Sequence, residues 1–179
     1  MSKGLTIIVM GVCGCGKSTV AQYLAERLQA ECKDGDELHP AKNIERMSAG
    51  LALTDEDRLP WLRAVAAFAS EKTAHGGICV IACSALKKQY REVLNSAGKV
   101  LYVYLDGSRA LIEARMSQRE NHFMPESLIQ SQFAALEVPD SAGEQVVAVD
   151  ISASVDAVIA SAEAQVRAHA LYQACTFHR

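Results

Sequence analysis

The sequence predicts an α/β fold in which helices cover both faces of a parallel β-sheet, giving three layers. Strand-like apolar runs alternate with segments of helical spacing along the whole chain, which is typical of parallel sheets with crossover helices. The first run, residues 5–10 (LTIIVM), lacks the polar alternation of a half-exposed strand. It therefore indicates a strand buried on both faces, as in the middle of a parallel sheet.

The other elements follow this one in order. Strands are predicted at 5–10, 31–34, 78–83, 100–105 and 145–149, and helices at 17–29, 40–48, 54–75, 86–95, 109–117, 126–136 and 155–166. Thr54 followed by Asp57 indicates a capping box at the third helix. The polar segment 117–125 (SQRENHFMP) is the candidate for a mobile loop. Because no repeat or linker interrupts the pattern, we expect residues 1–179 to form one domain.

Composition excludes several classes of function. The chain has 179 residues and a formal net charge of −3, so it lacks the basic footprint of a nucleic-acid-binding protein. No stretch approaches the roughly 18 apolar residues of a membrane span, and the N-terminus lacks the apolar core of a signal peptide. The six cysteines include no C-x-x-C pair. We therefore expect a reduced, cytoplasmic protein that binds neither nucleic acid nor membrane.

Residues 11–18 (GVCGCGKS) match the phosphate-binding motif G-x-x-x-x-G-K-[ST] and lie between the first strand and the first helix, as that motif requires. Its glycines let backbone N–H groups face phosphate oxygens, and the helix N-terminus adds a positive dipole. Lys17 is expected to reach the β- and γ-phosphates, and Ser18 to ligate Mg²⁺. The predicted ATP contacts here are Gly11, Val12, Cys13, Gly14, Cys15, Gly16, Lys17, Ser18 and Thr19.

Two of these residues, Cys13 and Cys15, allow two interpretations. They could form a redox switch or a metal pair that controls nucleotide entry. They could instead be small side chains in a loop where only the backbone contacts phosphate, which is the interpretation we favour. Because helix N-termini lower thiol pKa values, we also hypothesise that the Cys15 thiol is reactive.

An acidic segment, residues 34–40 (DGDELHP), follows the second strand, at the sheet edge where parallel sheets bind ligands. Asp34 and Asp36 should therefore face the phosphates. One carboxylate could anchor Mg²⁺ through water, and the other could accept the proton of an attacking hydroxyl. Alternatively, these residues only form a turn that caps the helix at Pro40. Chemistry alone favours neither hypothesis.

Basic residues follow two further strands at the same edge. Lys87 and Arg91 are four residues apart on one predicted helix face, while Arg115 and Arg119 flank the polar loop, with His122 beyond. Phosphoryl transfer needs positive charge to neutralise the transition state, often on a closing lid that excludes water. Any one of these residues could instead be a solvated surface cation, but several at the correct strand ends favour a site.

The third predicted helix carries two further residues of interest. Arg58 suits bidentate recognition of a carboxylate. Trp61 is more simply interpreted as a core residue than as a ligand platform.

Several longer motifs occur together with the phosphate loop. They are G-D-E-L-H-P at 35–40, N-I-E-R-M-S-A-G at 43–50, L-T-D-E-D-R-L-P-W-L at 53–62, C-S-A-L-K-K-Q-Y-R at 83–91, H-F-M at 122–124 and S-Q-F-A-A-L-E at 131–137. In this combination the chain resembles the gluconokinases, in the shikimate-kinase-like branch of the P-loop kinases, over nearly its whole length. The resemblance implies a P-loop NTPase fold of the nucleoside-monophosphate-kinase type, a five-stranded sheet in the order 2-3-1-4-5, a lid at about 117–127, and a homodimer.

The resemblance also implies an activity: ATP- and Mg²⁺-dependent phosphorylation of D-gluconate at its 6-hydroxyl, feeding sugar-acid catabolism. Asp34 would then serve the metal together with Ser18. Asp36 would hold the acceptor and could act as base. Arg115 would lie near the adenine, and Arg119 in the lid would join Lys17 in catalysis. The implied gluconate contacts are Asp36, His39, Arg58, Lys87, Arg91, His122 and Gln132.

The chain departs from the family pattern in two places. Cys13 and Cys15 replace the usual serines, and the segment 138–145 (VPDSAGEQ) follows the family less closely. A shikimate or nucleotide kinase on the same scaffold is a competing enzyme hypothesis, because fold does not determine substrate. A nucleotide-gated switch is the competing hypothesis from another class, but the N-K-x-D motif of GTPases does not occur.

Overall fold

The computed structural model describes residues 4–118 and 126–176. The strands are β1 (Leu5–Met10), β2 (Glu31–Asp34), β3 (Ile78–Ala82), β4 (Val100–Asp106) and β5 (Val146–Asp150). The helices are α1 (Lys17–Leu28), α2 (Ala41–Ser48), α3 (Asp55–Thr73), α4 (Lys88–Leu94), α5 (Arg109–Ser117), α6 (Glu126–Ala135), α7 (Val155–Ala168) and α8 (Ala170–Thr176). Short 3₁₀ turns cover Gly35–Leu38 and Asn95–Ala97.

The five strands form one parallel sheet in the order β2-β3-β1-β4-β5, which confirms the predicted topology. β1 lies in the middle and all of its residues are buried. In the register, Ile8 pairs with Ile81 of β3 and with Tyr102 of β4. Because all strands run the same way, the segments that follow β1, β2 and β3 emerge at one edge of the sheet.

The two faces of β1 belong to two different hydrophobic cores. Successive side chains of a strand point to opposite faces. Ile7 and Val9 lie in the core shared with α1 and α7, whereas Ile8 and Met10 lie in the core shared with α3 and α4. Burial on both sides explains why β1 is apolar throughout.

Several element boundaries have identifiable causes. α3 begins at the predicted capping box, where Thr54 and Asp57 each accept the other's backbone N–H. The 3₁₀ turn in the acidic segment agrees with the turn that the sequence offered as one alternative, whereas helix α8 was not predicted. α8 buries only Tyr172 and Cys175, too few positions for a helical period to show in the sequence.

None of the helices in residues 4–118 and 126–176 is long and apolar enough to cross a bilayer.

Arg91 is a buried structural residue, which argues against its predicted role as a gluconate contact. Its side chain is 1% exposed. Two of its nitrogens donate to the Glu144 carboxylate at 2.6 and 3.1 Å, and Nη1 donates to the carbonyls of Ala85 and Leu86. These bonds tie α4 to the loop before β5. They also hold the pKa of the Glu144 carboxyl below its usual range, with the Arg91 hydrogen bond as the largest cause.

The substitution Glu144→Gln should therefore destabilise the fold, because it leaves a buried guanidinium without its counter-charge. We expect the free energy of unfolding at neutral pH to fall by roughly 3 kcal/mol. The folded-state pKa of Glu144 is lowered, so its contribution is complete above the ordinary glutamate pKa and is lost as pH falls through the lowered value. Denaturant titration at several pH values should show the difference from wild type shrinking in acid.

A suitable control is Glu113→Gln, which breaks the exposed i,i+4 pair with Arg109. Exposed pairs contribute little, so this change should cost less than about 1 kcal/mol. Equal effects of the two substitutions would contradict the structural role of Arg91 and Glu144.

Candidate active site

The phosphate loop has the backbone that its glycines make possible. Gly14 and Gly16 have φ values of 77° and 94°, in the left-handed region that favours glycine. A Cβ at Gly14 would also lie 2.6 Å from the Met116 sulfur. The Nζ of Lys17 donates to the carbonyl of Val12 at 3.0 Å, so its side chain folds back over the loop. The loop thus forms a concave backbone surface with a cation across its mouth.

The end of β2 meets the start of α1 through a direct hydrogen bond. The Ser18 hydroxyl donates to Asp34 Oδ2 at 2.8 Å. The other carboxylate oxygen, Oδ1, accepts the backbone N–H of Asp36 at 3.0 Å and caps the 3₁₀ turn. Asp34 therefore does both things that the sequence left open: it shapes a turn and it faces the phosphate loop.

Trp61 of α3 holds the acidic segment in place through its indole ring. Its side chain is buried, and its indole N–H donates to the carbonyl of Gly35 at 2.7 Å. The same ring stacks on the imidazole of His39, with ring centroids 4.2 Å apart. Trp61 is a core residue, as predicted, yet it also positions the segment that carries Asp36.

A cavity of about 720 Å³ lies at this edge of the sheet. The predicted site residues that line it are Cys13, Lys17, Ser18, Asp34, Asp36, His39, Arg58 and Gln132. Segment 50–53 and α6 form its rims. Residues assigned separately to nucleotide, metal and acceptor thus share one space.

Two charged side chains of the cavity, Asp36 and Arg58, differ in their surroundings. The Asp36 carboxylate is 86% exposed and lies 3.9 Å from Nε2 of His39. Within the described residues, the half-buried Arg58 guanidinium has no ion-pair or hydrogen-bond partner, and it lies 5.9 Å from the centre of the Tyr90 ring. A cation in this state is available to an anionic ligand.

The remaining predicted contacts have different positions. Lys87 does not line the cavity; it pairs with Asp55 at 2.9 Å, and it precedes α4 instead of sharing a helix face with Arg91. Gln132 reaches the phosphate loop, where its side-chain oxygen accepts the N–H of Cys13 at 3.3 Å. Arg119 and His122, with most of the predicted lid, fall outside the described residues.

Arg115 belongs to a second, smaller cavity on the other side of the phosphate loop. This cavity has a volume of about 150 Å³ and is also lined by Gly14–Gly16, Thr19 and the start of α7. Arg115 donates to the carbonyl of Ile151 at its border. Cys15 and Thr19 thus face this cavity, whereas Cys13 and Ser18 face the larger one.

Burial argues against the hypothesis of a reactive Cys15. Cys15 is 3% exposed, and burial raises the pKa of its thiol more than the nearby Lys17 lowers it. Burial also raises the pKa of Cys13. Within the described part of the chain, no group of three or more His, Cys, Asp or Glu side chains is arranged to hold a metal ion. The burial of Cys15 fits the simpler interpretation of small loop side chains, and a redox role for the two cysteines stays a hypothesis.

Asn43 is a polar residue at this site that the residue-level reasoning missed. It lies on α2, is 2% exposed, and contacts both the His39 ring and the Asp57 carbonyl. Its position within the motif N-I-E-R-M-S-A-G was visible, but a polar residue predicted on a short, mostly exposed helix gives no sign of burial.

The parallel sheet, the glycine-rich phosphate loop and the adjoining acidic segment define a P-loop kinase. A family model for adenylylsulphate kinase matches residues 3–120. Two Escherichia coli (strain K12) proteins match more of the chain. Thermosensitive gluconokinase is 46% identical over 83% of this chain and 80% of its own length, and thermoresistant gluconokinase is 43% identical over 86% and 89%. The crystal structure of a gluconokinase from Sinorhizobium meliloti 1021 is 41% identical, with a TM-score of 0.79 over 91% of each chain.

These identities assign the family. The chain belongs to the gluconokinase family, within the wider group of kinases that the adenylylsulphate kinase model describes.

The thiols provide a direct check on the environment of the loop. At pH 8, maleimide should modify the exposed Cys32 faster than the buried Cys15. The pKa of both thiols is raised, so the difference in exposure decides the two rates. Peptide mass spectrometry after timed quenching measures both rates, and Cys32→Ser identifies the fast site. Modification of Cys15 as fast as that of Cys32 would restore the reactive-thiol hypothesis.

Proposed function

We propose that this chain transfers the γ-phosphoryl group of ATP to the 6-hydroxyl of D-gluconate. The observation that carries the proposal is the single cavity in which Lys17 and Ser18 of the phosphate loop face Asp36 and Arg58. In the reaction, the acceptor oxygen forms a bond to the γ-phosphorus, and the bond from that phosphorus to the β–γ bridging oxygen breaks. ADP leaves, and the hydroxyl proton passes to a base.

The phosphate side of the cavity supplies positive charge and backbone donors. Lys17 is placed to exchange its bond with the Val12 carbonyl for one with the phosphates. Such charge stabilises the transferring group, which is where most catalysis of phosphoryl transfer arises. Arg119 in the predicted lid would add to it and stays a prediction.

The acceptor side supplies a base and an anion contact. Asp36 is exposed to the cavity and free to accept a hydroxyl proton. Arg58, which has no ion-pair partner among the described residues, would hold the gluconate carboxylate. His39 and Gln132 also line the cavity and are proposed acceptor contacts, as is His122. These assignments rest on the family resemblance together with the shared cavity.

The residues present also fit Mg²⁺. Ser18 Oγ and Asp34 Oδ2 are oxygen donors that lie 2.8 Å apart beside the phosphate loop. Mg²⁺ prefers oxygen ligands and is usually held by one or two protein groups, with water and substrate phosphates completing its shell. When bound, the ion would neutralise charge on the phosphates. The two residues would hold it directly or through water.

The remaining assignments complete the proposal. The smaller cavity beside Arg115 is proposed to receive the adenine, since it adjoins the same loop on the side away from the acceptor. A homodimer, a cytoplasmic location and a lid around residues 117–127 remain predictions from the resemblance and the composition.

The direct test is ADP release from Mg·ATP with different acceptors. Gluconate should accelerate release strongly, whereas shikimate, adenylylsulphate and nucleoside monophosphates should not. Acceleration by one of these others alone would refute gluconate as the substrate while keeping the kinase class. Slow release that no acceptor accelerates would favour the nucleotide-gated switch.

Removing the proposed base should slow chemistry. Asp36→Asn should lower kcat by roughly 10²–10⁴-fold, because the amide cannot accept the hydroxyl proton. Steady-state kinetics with gluconate varied at saturating ATP measure the change. A matched control is Glu37→Gln, since Glu37 is the next residue, pairs with Lys33 and does not line the cavity. A rise in KM without a fall in kcat would make Asp36 a positioning residue instead.

Removing the proposed carboxylate contact should weaken gluconate binding. Arg58→Ala should raise the KM for gluconate roughly tenfold to a hundredfold, the value of a hydrogen-bonded charge, and leave the KM for ATP unchanged. Arg58→Lys should recover part of this, because lysine keeps the charge but not the planar fork. Arg63→Ala, at an exposed position on the same helix, is the control. An unchanged gluconate KM in Arg58→Ala would remove Arg58 from the site.

A further inference from the structure

The side chain of Asn43 links two elements of the site. Its Nδ2 lies 2.9 Å from the backbone carbonyl of Asp57, at the start of α3. The same nitrogen lies 3.2 Å from Nδ1 of His39. Asn43 itself is 2% exposed, so bulk water does not compete for these bonds.

These two contacts determine how the proton of the His39 ring is placed. A carbonyl oxygen only accepts hydrogen bonds, so the Asn43 atom that faces Asp57 must be the NH₂ nitrogen and not the amide oxygen. That nitrogen has two hydrogens, one for the carbonyl and one for the imidazole. His39 Nδ1 must therefore accept a hydrogen bond. In a neutral imidazole the proton then lies on Nε2.

The surroundings favour the neutral form of the ring. The His39 side chain is 4% exposed and stacks on Trp61. Burial is the largest cause that lowers the pKa of His39; Arg58 lowers it further, and Asp36 opposes both. In the described part of the chain, those two are the charged groups that act on the ring. Nε2 faces Asp36 Oδ1 across 3.9 Å, which is too long for a hydrogen bond.

We propose that Asn43 is a positioning residue that fixes His39 as the Nε2–H tautomer, so that the site offers an acceptor hydroxyl one donor, His39, beside one base, Asp36. Their 3.9 Å separation is compatible with a hydroxyl oxygen about 2.8 Å from each atom. It would accept the Nε2–H bond and direct its own proton to the Asp36 carboxylate. The placement of the tautomer stands on the geometry alone, whereas the part that concerns the hydroxyl rests on the proposed function.

The wrong tautomer would disable this arrangement. With the proton on Nδ1, Nε2 would present a lone pair toward the Asp36 carboxylate, and the two acceptors would compete for the same hydroxyl proton. Nδ1–H would also meet an NH₂ donor. Asn43 thus acts on the acceptor only through His39 and is not itself a catalytic residue.

The first experiment reads the tautomer without any substrate. Nitrogen-15 NMR of the folded wild-type chain, with His39 assigned by comparison with His39→Gln, should show a protonated Nε2 and an unprotonated Nδ1. A protonated Nδ1 would overturn the proposal. Because no acceptor is present, this result does not depend on gluconate being the substrate.

The second experiment uses Asn43→Asp, a substitution of the same shape that replaces the donor with an acceptor. The new carboxylate should draw the ring proton to Nδ1. We expect the KM for gluconate to rise about tenfold, the value of one lost hydrogen bond, with the KM for ATP unchanged. A wild-type gluconate KM together with a moved ring proton would overturn the role of the tautomer. Nucleotide binding and thermal melting verify that the variant is folded.

A matched pair at His39 keeps the test decisive if Asn43→Asp does not fold. Glutamine places its amide nitrogen near the position of Nε2, whereas asparagine places its nitrogen near that of Nδ1. His39→Gln should therefore keep a gluconate KM closer to wild type than His39→Asn. The reverse order would contradict donation from Nε2.

Discussion

The hydrogen bond from the Trp61 indole to the Gly35 carbonyl is the interaction on which the site depends most. It joins the N-terminal end of the buried face of α3 to the turn that follows β2. Gly35 is itself buried, and a Cβ there would lie 2.7 Å from the carbonyl oxygen of Ala82, so the turn packs directly on β3. An unsatisfied buried carbonyl would cost about 1–3 kcal/mol. The acidic segment is therefore held from two sides before any ligand binds.

The strand order of the sheet explains why this hydrogen bond affects the phosphate site. β1 lies between β3 and β4, with β2 outside β3, so the phosphate loop and the acidic turn leave the same edge. The Ser18–Asp34 bond then closes the gap between them. Asp57 adds a link from the other direction, because it caps α3 with its side chain and holds Asn43 with its carbonyl. A few short contacts thus connect the phosphate side to the acceptor side.

Much of this architecture could be predicted from the sequence, because it follows from local rules. The apolar run of β1, the glycine spacing of the phosphate loop and the Thr54 capping box each determine a local structure. What could not be predicted depends on distant partners. In the sequence, Arg91 cannot be distinguished from a surface cation, because its partner Glu144 lies far along the chain. The raised pKa of Cys15 likewise comes from burial beneath the loop, whereas the sequence showed only the helix N-terminus.

We propose that the phosphate donor and the acceptor meet between Lys17 and Asp36. A crystal structure with Mg²⁺, a nonhydrolysable ATP analogue and gluconate tests it most directly. We expect the analogue's γ-phosphate beside Lys17, the gluconate carboxylate at Arg58, and a gluconate hydroxyl within hydrogen-bond distance of Asp36. Gluconate bound outside the large cavity, or inside it with the carboxylate turned toward the phosphate loop, would contradict this placement of donor and acceptor.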